Sequence, residues 1–173
     1  MKNEGKVFEQ CFENSIDKEK ILVKRFNDNA ASFSGGANTR FTSTNECDYE
    51  LFEPESRTLY FLELKSTIGS LTYWREDFGK GSYNIKQNQI KGLSRFDKYK
   101  GTVCGLIFNF RIENNPTFFV PINKFVKYTS TLSKKSINIK DVLQMNPIEI
   151  TSHIKRTKYG YDVMDFIEKT KLE

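Results

Sequence analysis

Histidine is almost absent: His153 stands alone among 173 residues. With one histidine and no Cys-x-x-Cys pair, a structural zinc site has no support, and His153 reads as a surface or packing residue rather than a catalytic base. The three cysteines, Cys11, Cys47 and Cys104, are odd in number and far apart. That argues against a disulfide framework and suits a reducing, cytoplasmic compartment. No run approaches the ~18 apolar residues of a membrane span, so no membrane association is expected. The start, Met1-Lys2-Asn3-Glu4-Gly5-Lys6, leads into Glu9 and Glu13, so no secretory leader is expected either. A P-loop is also missing, because Trp74 stands where the leading glycine before Gly79-Lys80-Gly81-Ser82 would be, and no nucleotide cofactor is predicted.

What is present is a basic chain the size of one domain, residues 1–173. It has 27 Lys and Arg against 22 Asp and Glu, a net charge of +5. A chain this long buries roughly two-thirds of its unfolded surface and needs no cross-link to fold. Val7, Phe8, Cys11, Phe12 and Ile16 recur at helical spacing over residues 6–16, and Ile21–Phe26 reads as a strand. Residues 27–45, rich in Ser, Gly, Asn and Thr, read as a long loop. Cys47–Phe52 and Thr58–Ser66 are strands around a turn at Pro54. Asn84 is expected to cap a helix running to about Tyr99, Gly101–Phe110 and Thr117–Ile122 form a second hairpin, and Tyr161–Lys169 closes as a helix. This order predicts a mixed α/β fold, a central mixed β-sheet flanked by helices.

The chemistry-bearing segment is Cys47-Asp48-Tyr49-Glu50 followed by Leu62-Glu63-Leu64-Lys65-Ser66. Alternation along a strand puts Glu63 and Lys65 on one face, shared with Leu59 and Phe61. Closing the hairpin places Asp48 opposite Leu62 or Glu63, so two carboxylates and a lysine converge at the mouth of the sheet. Oxygen-rich clusters of this kind suit a hard divalent cation such as Mg²⁺, with Mn²⁺ as a substitute. The competing reading is a cross-strand salt bridge. Gln89 falls on the apolar stripe of its helix with Ile85, Leu93 and Phe96. Its amide needs a partner there, either a metal or its water, or a nearby backbone group.

Gly5-x-x-Phe8-Glu9, Asp48-Tyr49, Glu63-Leu64-Lys65-Ser66-Thr67 and Asn84-Ile85-x4-Ile90 with Gln89 inside it together resemble the RecU-type Holliday junction resolvases, in a short phage-like form. These belong to the PD-(D/E)xK nuclease superfamily. The resemblance spans residues 5–122, and Lys155-Arg156-Thr157-x-Tyr159 extends it. It implies a restriction-endonuclease-like core and a metal-dependent endonuclease resolving four-way DNA junctions by paired nicks, as a homodimer, in the host cytoplasm if the chain is phage-encoded. By the same resemblance Asp48 and Glu63 hold the Mg²⁺, Lys65 acts on the transition state, Gln89 joins the metal shell, and Glu9 faces the site from the first helix. Glu46 departs from the Thr often found there in cellular relatives; it supplies a third carboxylate or is merely exposed. The segment before Asp48 is too short for the long projecting stalk of those relatives.

Positive charge is uneven. Residues 121–140 hold five lysines and no acid, and residues 71–100 hold seven basic residues against three acidic ones. Arg75, Lys80, Lys86, Lys91, Lys124, Lys127, Lys134 and Lys135 are therefore the candidate contacts to DNA phosphates. A nuclease of the same fold acting on flaps or single strands, and a non-catalytic DNA-binding module, are the alternatives.

Overall fold

The computed structural model describes residues 3–26 and 45–172, so the expected loop over residues 27–45 lies, Asn45 apart, outside the described residues. Asn3 opens α1 (Glu4–Glu13) by accepting a hydrogen bond from the Lys6 N–H, and the helix buries Phe8, Cys11 and Phe12. Then come β1 (Leu22–Arg25), β2 (Tyr49–Glu53) and β3 (Thr58–Thr67), each antiparallel to the one before. The β2–β3 turn is one residue tighter than predicted because Glu53 still pairs with Thr58. The Glu53 carboxylate accepts the Glu55 and Ser56 N–H groups inside that turn.

After β4 (Leu71–Thr72) and a 3₁₀ turn at Glu76–Phe78, α2 (Gln87–Phe96) carries the chain across to β5 (Thr102–Phe110), which pairs parallel with β3. Here the prediction needs correcting: Asn84 does not cap α2. Ile85 forms a parallel bridge with Tyr73, holding the chain extended, and the Asn84 side chain accepts from the Thr72 N–H and hydroxyl. The helix therefore starts after Lys86.

β6 (Thr117–Pro121) returns antiparallel to β5, then come α3 (Ile122–Ser130), β7 (Ser136–Ile137), α4 (Ile139–Gln144), β8 (Ile148–Glu149), the hairpin β9 (Ser152–Lys155) and β10 (Lys158–Tyr161), and α5 (Val163–Thr170). The mixed α/β fold is as the sequence predicted: a six-stranded mixed sheet in the order β1-β2-β3-β5-β6-β8, flanked by helices. One core joins α1 and α5 to Tyr60, Leu62 and Leu64. The other joins α2, α3 and α4 to Leu106, Phe108 and Val120. Covered on both faces, β5 is apolar along nearly its whole length rather than alternating. Gly105 on β5 is sterically required, since a Cβ there would lie 2.3 Å from the Val120 carbonyl oxygen and 2.6 Å from the Phe119 ring. Gly105→Ala is expected to cost about 1–3 kcal/mol of unfolding free energy, read from the urea midpoint.

Candidate active site

β2 runs opposite β3 with Tyr49 facing Leu62, so Asp48, one residue before β2, stands opposite Glu63. Its backbone continues the ladder: the Asp48 N–H donates to Leu62 O at 3.0 Å, and its carbonyl accepts from the Phe26 N–H at 2.9 Å. Beyond Asp48, β3 has no β2 residue to receive the Leu64 N–H. The Asp48 carboxylate takes that bond at 2.7 Å and so replaces the missing strand. This fixes one carboxylate at the strand end, as the hairpin reading required.

Glu63 and Lys65 share a face of β3, and the Lys65 ammonium sits 2.5 Å from Glu63 Oε1. Phe61, on the same face, stacks on Phe96 of α2 with centroids 4.2 Å apart. That contact seats α2 so that Gln89 reaches Glu63: its Nε2 donates to Glu63 Oε1 at 2.5 Å. Gln89 Oε1 in turn accepts from the Lys86 N–H at 2.8 Å. Gln89 thus caps a backbone group and braces Glu63. The Lys86 N–H uses one of the two lone pairs of its carbonyl oxygen. Glu63 is only 2% exposed. Burial pushes its carboxyl up to about 8; Lys65 opposes this, while Asp48 and Glu9 add to it.

The other two carboxylates are engaged elsewhere. Glu9 lies near enough to raise Glu63, but its carboxylate pairs with Arg25 of β1. Glu46 pairs with Arg95 of α2 at 2.7 Å, and its side-chain stem packs against Gly92. Among the described residues no group of three or more His, Cys, Asp and Glu side chains is arranged to hold a metal ion. Of the two readings of Glu46, third carboxylate or exposed group, the structure shows a partly exposed side chain paired with Arg95. The Arg25–Glu9 pair was not foreseen; the Arg25–Tyr49 pairing that sets it follows from the β1–β2 register.

No protein-family model matches the chain. It is similar to the SPbeta prophage-derived uncharacterized protein YotM of Bacillus subtilis (strain 168). The two are 31% identical over 133 residues, 77% of this chain and 63% of that protein. The chain thus spans less than two-thirds of that relative's length. It is also similar to the solved structure of Archaeoglobus fulgidus Hjc, a Holliday junction resolvase from an archaeal hyperthermophile. The TM-score is 0.43 with 16% identity, over 76% of this chain and 84% of that one.

The basic candidates divide. Arg75 commits four of its five N–H donors, two to Asp77 and two to the Thr129 and Leu132 carbonyls. It ties its loop to the end of α3, a structural duty that withdraws it from the phosphate contacts expected of it. Lys134 pairs with buried Asp141 at 2.7 Å, and Lys124 donates to Asn146 O. Lys80, Lys86 and Lys127 are exposed, with no ion pair to a described residue. Lys91 lies over Trp74 and Lys135 over Phe78.

Burial opposes ionisation of Asp141, yet Lys134, the Asn138 N–H and Tyr128 outweigh it and hold the carboxyl below its ordinary 3.8. A carboxylate so depressed stabilises the fold fully above 3.8 and loses that contribution as pH falls from there through its lowered folded value. Asp141→Ala should cost about 1–3 kcal/mol at neutral pH and less in acid, measured by urea unfolding.

The donor set fits a hard divalent cation. Asp48 and Glu63 offer only oxygen, and Mg²⁺ commonly takes one or two carboxylates and completes its shell with water and phosphate oxygens. Buried among like charges, the Glu63 carboxylate gains from a cation beside it. Among the described residues no helix is long and apolar enough to cross a membrane.

Proposed function

We propose that the chain is a Mg²⁺-dependent DNA endonuclease, with Mn²⁺ as a substitute, that nicks branched DNA and in particular four-way junctions. The observation that supports this reading is the register that sets Asp48 opposite Glu63 across the β2–β3 pair, with Lys65 on the face of Glu63. A divalent cation held by Asp48 and Glu63 would supply Lewis-acid polarisation of a phosphate oxygen and a nucleophile from water near neutral pH. The chain's own residues do the rest. Asp48 is fixed by the Leu64 N–H and Glu63 by Gln89, so neither carboxylate reorganises when a phosphodiester arrives. Lys65, 16% exposed at its side chain, puts a cation where negative charge grows on the phosphorus. Exposed Lys80, Lys86 and Lys127 hold the flanking backbone. Symmetric nicking of two strands takes two such sites related by a two-fold axis, hence a homodimer.

The test incubates the protein with a labelled four-way junction, a flap and a linear duplex, with Mg²⁺ or with chelator. Paired nicks confined to the junction are expected. Nicks on the flap alone would keep the nuclease and change its substrate. No cleavage of any substrate, or cleavage unchanged in Asp48→Asn, would leave Glu63, Lys65 and Gln89 as a structural cluster. Their mutual hydrogen bonds would by themselves allow that.

A further inference from the structure

At the start of α2, and built with the loop between β4 and α2, lies a cleft of about 430 Å³. Trp74 and Tyr83 line it, Lys80 and Lys86 add positive charge, and Glu76 is its one acid among the described residues. Its walls are fixed. The Trp74 N–H donates to Ile85 O at 2.9 Å, and the Ile85 N–H to Thr72 O at 3.0 Å. Tyr83 is pinned through its hydroxyl, which donates to the Phe78 and Gly79 carbonyls at 3.3 and 3.2 Å. Gly81 packs against the Tyr83 ring, where a Cβ would come within 3.2 Å of it. Lys91 stands 5.1 Å from the Trp74 ring centroid. Tyr73, next to Trp74 in the chain, is fully buried and belongs to the core. The cleft is joined to the carboxylates through one residue: Lys86 lines it, and Gln89, capped by the Lys86 N–H, holds Glu63.

We infer that this cleft takes one unpaired nucleobase of the DNA strand, stacked on the aromatic wall of Trp74 and Tyr83, with the neighbouring phosphates on Lys80 and Lys86. Its size is that of a small-molecule site. Aromatic walls with cations beside them are what single-stranded DNA is bound by, since every base offers a flat π-face. Glu76 is an acceptor for a base's N–H edge. A base inside a duplex has both faces covered and cannot enter, so the cleft selects DNA with an unpaired nucleotide next to the cleaved bond. This rests on the nuclease reading for its substrate but not for its measurement.

Trp74 is the only tryptophan in the chain, so its emission reports on the cleft directly. Metal-free protein in chelator is titrated with a short oligothymidylate and, separately, with a duplex of equal length. Anisotropy of labelled DNA measures binding in parallel. Saturable quenching by the single strand and little by the duplex is expected. Tyr83→Ala should weaken oligothymidylate binding by about 5- to 100-fold, with its circular dichroism and urea midpoint checked against wild type. Trp74→Phe should lose the signal but keep most of the affinity, and Trp74→Ala should lose both. DNA bound by anisotropy without any change in Trp74 emission overturns the inference, as does equal quenching by duplex or undiminished affinity in a folded Tyr83→Ala. Quenching by a protein that cleaves nothing would spare the cleft and remove the nuclease; cleavage without quenching would do the reverse.

Discussion

Lys65→Ala is expected to slow Mg²⁺-dependent cleavage by about 10²–10³-fold while leaving the fold intact. The ammonium lies 2.5 Å from Glu63 Oε1 and is largely shielded from water. In that setting one well-placed cation is worth far more than on an open surface. Its removal acts twice. It takes away the charge that would face the phosphate, and it takes away the cation that favours ionised Glu63, leaving only the Gln89 N–H to do so. The pH–rate profile of the variant should therefore move to higher pH as well as fall, because Glu63 must lose its proton with less help. A purely structural lysine would shift the urea midpoint and leave the shape of the profile alone. Arginine should rescue poorly, since its planar fork differs from a compact ammonium beside a carboxylate already braced by Gln89. A single-turnover rate unchanged in Lys65→Ala would reduce Lys65 to an ion-pair partner.

The part of this site that was legible in the sequence is the part governed by strand periodicity. Alternation put Glu63 and Lys65 on one face, and turn length put Asp48 opposite Leu62 or Glu63; the one-residue-tighter turn selects Glu63. The parallel partner β5 was visible as an unbroken apolar run. Side-chain pairing between distant segments was not legible. Nothing in the sequence says that Arg95 rather than a bound cation takes Glu46, or that Arg25 takes Glu9, because those partners are set by how α2 and β1 dock. Arg75 misled for a related reason: a basic residue in a basic stretch reads as a phosphate contact, and only the fold shows its donors spent on carbonyls. The two-residue strands β4, β7 and β8 are too short to leave a periodic signal. The β9–β10 hairpin is mostly exposed on β9, so its apolar alternation is faint. Gln89 lay between these cases. Its place on the apolar stripe marked it as needing a partner, and the structure supplies both the backbone group and the carboxylate.

Glu63 should make the metal-free protein less stable as pH rises from about 5 to about 8. Its carboxyl is held up to about 8 in the fold against an ordinary 4.5, chiefly by burial. A group whose folded value is raised binds its proton more tightly folded than unfolded. Its contribution is therefore fully present below 4.5 and lost as pH climbs through the folded value. The loss should amount to a few kcal/mol across that window. Asp141 and Glu53, both held low, act with the opposite sign but only below their ordinary values of 3.8 and 4.5; Asp97, raised by burial, acts with the sign of Glu63, so the share of Glu63 is read as the slope lost in Glu63→Gln. In Glu63→Gln the amide oxygen can still accept from Lys65 and Gln89, so the variant should fold and lose the slope. Urea midpoints in chelator at roughly pH 5 and pH 8.5, wild type against variant, measure this. Mg²⁺ adds the decisive contrast: a cation binds the deprotonated carboxylate, so it should raise the wild-type midpoint more at the higher pH and leave Glu63→Gln nearly unmoved. A wild-type midpoint flat across the window would mean that Glu63 is already ionised beside Lys65, and that burial has been offset at the strand end.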